Sequence, residues 1–348
     1  MTRAARPLLW PLVPVYQLAV ALREVQLRSG MRPVQRLRWP VVSIGNLSTG
    51  GSGKTPLTIA LAKALAACGL HVDVLSRGYG RRSALPLLVD VGGTTETFGD
   101  EPLVIAREAC IPVYVAAARY EAGLMAETEG AEKQGAREQG SETTSQQVSK
   151  SASQRASIHL LDDGFQHRQL HRDVDILLLS RSDLNDHLLP AGNLREALRA
   201  AERADVIAIP ADDPELEAEI RSRGWQAAIW RLRRRMEVPR VEGTAAAFCG
   251  IAQPEQFFAG IEAAGVTVAA RIPFADHHRY SQSDLKRAVT EAQKAGAAAL
   301  LTTEKDRVRL GALAATLSAS LPLQTVALRI EIEDEAVVVG RLRKNLGL

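Results

Sequence analysis

The sequence is poor in cysteine and in aromatic side chains. Its 348 residues hold three cysteines, Cys68, Cys110 and Cys249, far apart and without a Cys-x-x-Cys spacing. That argues against a disulfide or zinc-thiolate framework and suits a reducing compartment. Aromatic residues are only 4%, so the cores must rest on Leu, Val, Ile and Ala. Neither sign of charge is missing: the formal net charge is +3, which selects no partner. No apolar run is long. The uncharged stretch between Arg6 and Arg23 is shorter than the ~20 residues that cross a bilayer, and Pro7, Pro11 and Pro14 interrupt it. The length suffices for two domains.

What is present is organised around residues 41–55. A β-branched run, Val41-Val42-Ser43-Ile44, ends in a glycine-rich turn and Lys54-Thr55, followed by an apolar-periodic segment through Leu57, Ile59, Leu61 and Leu65. This reads as strand, phosphate-binding loop and helix. Backbone N–H groups of Ser48, Thr49, Gly50, Gly51, Ser52 and Gly53 would cradle phosphate oxygens beside a positive helix end. Lys54 would reach the β- and γ-phosphates, and the Thr55 hydroxyl would hold Mg²⁺. The strict pattern wants glycine at 48, where this chain has Ser48. Gly50 and Gly51 can supply the flexibility, and the competing reading is a chance glycine-rich turn. The expected ligand is a nucleoside triphosphate.

Residues 1–40 carry seven arginines, at 3, 6, 23, 28, 32, 36 and 38, against one acid, Glu24. With the apolar stretch that includes Trp10 and Tyr16, this favours a helix lying in a membrane interface, its arginines facing anionic headgroups. A signal peptide and an ordinary core helix are the alternatives. The apolar face fits lipid better than nucleic acid.

Further along, residues 71–76 read as a strand that ends in Arg77-Gly78-Tyr79-Gly80-Arg81-Arg82. A loop at that end of an α/β strand is a place for an anion or sugar contact, though a solvated turn would look the same. Asp100 reads as the N-cap of a helix with Glu101 and Pro102 in its first turn. Residues 112–116 form a strand leading to Arg119. From Glu127 to Ser157 the chain is polar, with one valine and no aromatic, and reads as a disordered insertion. Residues 158–161 return to a buried strand and deliver Asp162, Asp163, Gln166 and His167. Acids at such a strand end suit Mg²⁺; a plain Asp-Gly turn, or zinc at His167 and His171, are the alternatives. Asn193 reads as the cap of a helix that opens near Arg195, a cation where the helix dipole disfavours one. Residues 225–242 look like extended connectors. A second α/β unit follows, with Asp276-His277-His278 as a candidate acid/base loop.

The motifs G-N-L-S-T-G-G-S-G-K-T-P at 45–56, S-R-G-Y-G-R at 76–81, G-D-E-P at 99–102, D-D-G-F-Q-H at 162–167, L-P-A-G-N-L-R-E at 189–196, F-A-D-H-H-R-Y at 274–280 and T-T-E-K-D at 302–306 occur in this order. Together with the basic apolar N-terminus they resemble the tetraacyldisaccharide 4′-kinase family of lipid A synthesis, over nearly the whole chain outside 127–157. The resemblance implies a kinase at the cytoplasmic face of the bacterial inner membrane that uses ATP and Mg²⁺. It would phosphorylate the 4′-hydroxyl of a tetraacylated glucosamine disaccharide 1-phosphate. The implied catalytic pair is Asp100 and His277, with His278 the alternative, assisted by Lys54. Glu101, Asp162 and Asp163 are the implied Mg²⁺ carboxylates with Thr55. Arg77, Tyr79, Arg119, Gln166, Asn193 and Arg195 are assigned to the lipid headgroup.

The expected fold is α/β: a P-loop, mostly parallel sheet flanked by helices, with a second smaller α/β domain and an N-terminal interfacial helix. The expected division is 1–38 for the helix, 39–235 for the kinase domain and 236–348 for the domain with His277. Neither a nucleic acid nor an obligate protein partner is expected. A P-loop switch GTPase is one competitor, but Thr303-Glu304-Lys305-Asp306 has Glu where the Asn-Lys-x-Asp guanine motif has Asn. A soluble small-molecule kinase is the other.

Overall fold

The computed structural model describes residues 6–51, 53–139 and 156–348. A short 3₁₀ turn, Pro7–Leu12, leads into α1 (Val13–Arg28), and β1 (Val41–Asn46) then enters the sheet. Next come α2 (Lys54–Ala67), β2 (His71–Ser76), β3 (Leu87–Leu88), α3 (Thr95–Phe98), α4 (Asp100–Ala109), β4 (Val113–Val115) and α5 (Arg119–Gln139). They are followed by β5 (Ser157–Asp162), β6 (Val174–Leu178), α6 (Arg181–Leu184), β7 (Val206–Pro210), α7 (Pro214–Ser222) and β8 (Ala228–Glu237). The chain closes with β9 (Ala245–Cys249), α8 (Pro254–Ala263), β10 (Val268–Pro273), α9 (Gln282–Lys294), β11 (Ala299–Thr303), α10 (Glu304–Leu310), α11 (Leu313–Ser320), β12 (Leu323–Ile332) and α12 (Glu335–Leu346).

Among the described residues the twelve strands belong to one sheet, in the order β10-β9-β11-β12-β8-β7-β6-β1-β5-β2-β4-β3. Pairing is parallel except at β12–β8 and β3–β4. Every residue of β1, β5 and β6 is buried, because helices cover both faces of a parallel sheet. β1 lies between β5 and β6, with Ile44 opposite Asp162. The turn after β1 and the acids after β5 therefore emerge side by side at the carboxyl edge, where α/β sheets bind ligands.

Three local expectations are corrected. The segment expected to be disordered from Glu127 is helical as far as Gln139 in α5, and residues 140–155 lie outside the described residues. The Glu127 carboxylate accepts the backbone N–H of Arg38 at 2.5 Å and of Trp39 at 2.9 Å, so the helix is anchored to the sheet's entry segment. The expected connector at 225–235 is largely β8, whose ten residues pair with β7 on one side and β12 on the other. Alternation misled the reading: β8 is mostly exposed, with only Trp230 and Leu232 buried. The expected helix at Asn193 is a loop, and a 3₁₀ turn begins only at Leu198.

β8 and β12 make the sheet continuous across the expected 235/236 boundary. The core is continuous as well. Leu57, Leu61 and Leu65 of α2 share one apolar cluster with Ile330 of β12 and Val339 and Leu342 of α12. Each fully buried side chain of this kind contributes roughly 1.5–3 kcal/mol.

Beneath α5 lies a second buried device. His159 of β5 is fully buried, with Nδ1 2.7 Å from Asp73 Oδ1 and Nε2 3.6 Å from Glu127 Oε1, and Trp39 stacks on its ring at 5.0 Å. Burial alone would depress its pKa. The charge and hydrogen bond of Asp73, joined by Glu127, outweigh burial and push it up to about 9. A group raised in the folded state stabilises fully below its unfolded value near 6.5, and that stabilisation disappears as pH rises through 9. We expect the melting temperature to fall between pH 6.5 and pH 9 in the parent protein, and that decline to be lost in His159→Gln. Parallel melting curves for the two proteins would exclude this role.

Candidate active site

The loop between β1 and α2 is buried at its base and open at its crest: Ser48 is buried, Thr49, Gly50 and Gly51 are exposed. Gly53 stands at φ +93° as the N-cap of α2, a conformation costly for any other residue. No side chain caps the helix, so its first N–H groups are not engaged by a cap and face the loop, as an anion site needs. Ser52 lies outside the described residues. Thr55 is buried directly behind the loop.

Lys54 Nζ lies 2.8 Å from Asn46 Oδ1 and 3.3 Å from Asp163 Oδ1. Arg195 grips the same Asp163 with two bonds, 2.9 and 2.8 Å long, and also donates to the Asn46 carbonyl at 3.0 Å and to its side-chain oxygen. Burial would raise the Asp163 pKa, but Lys54 and Arg195 together hold it far below the usual carboxylate range. The cation at 195 was puzzling as part of a helix start. In the loop it has a carboxylate partner, and the dipole conflict disappears.

Asp162, one residue earlier, is fully buried and accepts from the Thr58 hydroxyl at 3.3 Å. Burial and the negative charges of Glu101 and Asp163 push its pKa up to about 7. A carboxylate so raised has a strong electrostatic affinity for a cation. Among the described residues no cluster of three or more His, Cys, Asp or Glu forms a ready metal cage. Mg²⁺ bound through one or two carboxylates and substrate phosphates needs none. The donor set of Asp162, Glu101 and Thr55 fits that ion; Asp163 faces Lys54 and Arg195 here.

The reading of Asp100 as a helix cap is corrected. The N-cap of α4 is Gly99, with φ +88°, and Asp100 makes no capping bond. Its Oδ2 instead meets His277 Nδ1 at 3.1 Å and Arg309 Nε at 2.5 Å. Burial opposes ionisation, yet the hydrogen bond from His277 and the charge of Arg309 depress the Asp100 pKa. The neighbouring Glu101 accepts from Lys305 Nζ at 2.7 Å, whose charge outweighs burial and lowers its pKa. Within Asp276-His277-His278 it is His277 that reaches Asp100. His278 turns away to Asp284 at 3.1 Å, in the capping box of α9.

The remaining predicted residues divide. Tyr79 is exposed and lies 5.9 Å from the His277 ring, and Arg77 is exposed beside it. Arg119 is buried, and burial brings its pKa down to about 10. Its Nε and Gln166 Oε1 are buried without a partner among the described residues, as groups that await a ligand would be. Gln166 Nε2 donates to the Asn46 carbonyl at 2.9 Å. Asn193 is not drawn into this group. Its amide is taken by Asp186 at 2.9 Å, and its carbonyl accepts the Thr49 N–H at 2.8 Å, so it steadies the phosphate loop. The sequence assigns no role to Lys305 and Arg309, and it offers His167 only as a zinc ligand with His171. Burial and the charges of Arg119, Arg23, Arg172 and Arg77 press the His167 pKa down to about 3, which marks a strongly positive recess. Lys305 could have been found from its place in the first turn of a helix, where a cation is disfavoured.

This geometry is a P-loop facing paired acids, an Asp–His contact between α4 and the loop after β10, and an arginine-lined recess. The family model for tetraacyldisaccharide-1-P 4′-kinases matches residues 5–346. The chain belongs to this family. A tetraacyldisaccharide 4′-kinase of Koribacter versatilis is 38% identical over 344 residues, covering 96% of this chain and 97% of that protein. One from Rhodospirillum rubrum is 37% identical over 287 residues, with coverage of 80% and 78%. The crystal structure of "apo" form LpxK from Aquifex aeolicus in complex with ATP superposes with a TM-score of 0.72 at 28% identity, over 98% of this chain and 99% of that one.

The 77–80 and 98–101 loops meet backbone to backbone. A Cβ on Gly99 would lie 2.9 Å from the Gly78 carbonyl carbon and 3.0 Å from the Tyr79 carbonyl oxygen. Gly99→Ala must therefore push Asp100 out of line. We expect a loss of turnover of about tenfold or more, with destabilisation of roughly 1–3 kcal/mol. Unchanged kcat in this variant would show that the loop contact does not set the site.

Proposed function

We propose that this chain's members of the two acid–cation pairs carry out the family's reaction in the following way. The enzyme is an ATP-dependent phosphotransferase that acts on the 4′-hydroxyl of the lipid A precursor, a tetraacylated disaccharide 1-phosphate. The triphosphate is cradled by residues 48–53 and Lys54, which leaves Asp163 and Asn46 for the phosphates when they arrive. Thr55, Asp162 and Glu101 would hold Mg²⁺, which when bound would offset charge on the triphosphate. Asp100 receives the proton of the sugar hydroxyl, with His277 beside it to orient the carboxylate and share the charge. Because Asp100 stays ionised at neutral pH, it needs no activation before substrate binds. Arg77, Arg119 and Gln166 line the recess for the acceptor's phosphate, whose double negative charge suits buried guanidinium groups.

The observation that carries the reading is the 3.1 Å contact between Asp100 on α4 and His277 after β10, residues 177 positions apart. T-E-K-D does not favour the guanine-switch alternative. Its Asp306 is consumed by the Gly250 N–H, Thr303, Tyr280 and Arg309. We expect Asp100→Ala to lose about a thousandfold or more in kcat while ATP affinity changes little. A variant with near-parental turnover would reject Asp100 as base.

We further propose that the N-terminal helix sets the enzyme on the cytoplasmic membrane face. The helical stretch Pro7–Leu27 is 21 residues, by length and composition enough to cross a bilayer, and so longer than the uncharged run suggested. Only 6% of it is buried. Its polar side is tied to the site: Tyr16 donates to the Arg195 carbonyl at 2.8 Å, Arg23 to the Gln166 carbonyl at 3.0 Å, and Glu24 pairs with Arg168. Leu12, Val15, Leu18, Leu22 and Val25 point outward and are more than half exposed. Acyl chains could stay in the bilayer alongside that face while the sugar enters the site. Leu12→Gln, Leu18→Gln and Leu22→Gln combined should weaken co-sedimentation with anionic vesicles by about tenfold or more and leave ATP affinity intact. Undiminished sedimentation would refute the interfacial helix.

A further inference from the structure

Arg309 of α10 is almost wholly buried, with 4% of its side chain exposed. Its donors go four ways. Nε meets Asp100 Oδ2 at 2.5 Å, and Nη1 meets the Gly250 carbonyl at 2.5 Å and Asp306 Oδ1 at 3.1 Å. Nη2 stands 3.1 Å from His277 Nδ1. Asp306 does not depend on Arg309 for its bonds, since the Gly250 N–H, Tyr280 and Thr303 already supply them. The Gly250 carbonyl also accepts the His277 N–H at 3.1 Å, and that bond holds His277 at φ +56°. A plain structural ion pair would not need to touch the loop that carries the histidine, its ring and the carboxylate of another unit at once.

The chemistry at Nδ1 makes the arrangement more specific. A guanidinium can only donate. If Nη2 is hydrogen-bonded to Nδ1, that nitrogen carries no proton and the ring proton is on Nε2. If Nδ1 carries the proton, it donates to Asp100 and the Nη2 contact is not a hydrogen bond. The bond from His277 that depresses the Asp100 pKa is of the second kind.

We propose that Arg309 is the positioning residue of the phosphotransfer site: it grips the Asp100 carboxylate through Nε and the His277 loop through the Gly250 carbonyl, and so holds Asp100 where the His277 Nδ1–H donates to it. This rests on the assignment of Asp100 and His277 given above. Lys305, one turn earlier on the same helix, secures Glu101 and so keeps α10 in register with α4 while Arg309 acts.

The test is steady-state kinetics with Mg-ATP and the tetraacylated disaccharide 1-phosphate in mixed micelles, for Arg309→Gln, Arg309→Lys, His277→Ala and the double variant. Arg309→Gln should lose about a hundredfold in kcat with the KM for ATP within about threefold. Arg309→Lys should recover part of that, because it keeps the charge without the fork. In the His277→Ala background the Arg309→Gln change should cost less than about threefold more, since both act on one unit. Losses that multiply, or an Arg309→Lys protein with parental kcat, would overturn the proposal. Where Arg309→Gln fails to fold, nitrogen-15 NMR of histidine-labelled full-length protein decides. The proposal requires a protonated Nδ1 on His277, donating to Asp100, and an unprotonated Nδ1 overturns it. Failure of the underlying assignment looks different: His277→Ala and Asp100→Ala would then both keep near-parental turnover.

Discussion

Two neighbouring carboxylates in the first turn of α4 are each met by a cation from α10, and the site exists only while both pairs hold. Asp100 takes Arg309 and Glu101 takes Lys305. Leaving water would drive either acid toward its neutral form, and the cations reverse that. The same burial would drive Lys305 and Arg309 toward neutrality, and the acids reverse it in turn. Four costly groups become tolerable only as two pairs, so α4 and α10 cannot be displaced from one another without exposing an unmatched charge. The continuous sheet through β8 and β12 fixes the distance at which they meet.

Around that junction the acids differ by environment rather than by type. Asp163, clamped by Lys54 and Arg195, is strongly acidic, and Asp162, one residue away but facing other carboxylates, is weakly so. Such separation lets adjacent identical side chains do different work. The first orders the lysine of the phosphate loop. The second is left with its charge unsatisfied beside the place where a cation and phosphates belong. His167 belongs to the same logic, kept neutral by burial and by the surrounding arginines, so that the recess presents donors rather than another mobile charge.

The N-terminal helix couples this interior to a surface. One side of α1 holds the loops at 166 and 195, and the other side is a row of exposed aliphatic residues. An element with so little of itself buried gains little from packing. Its polar contacts are aimed at loops that also hold Asp163 and Asn46, so whatever covers its outer face bears directly on the site.

Much of this was legible in the chain. Glycines before Lys54-Thr55, acids after an apolar strand and the seven ordered motifs announced the phosphate loop, the acids and the family, because turns and strand ends are local properties that neighbouring residues determine. β8 was not legible: its exposed arginines hide a strand whose partners, β7 and β12, lie far off in sequence. Nor did the residues around Asp100 and His277 show their pairing on their own: the first read as a helix cap, only the family resemblance pointed to the pair, and Lys305 and Arg309 were given no role. Sequence by itself determined which elements form and which chemistry they carry. Tertiary structure alone decided which acid meets which cation, because a charge's partner is set by distance through space, and burial makes that distance count.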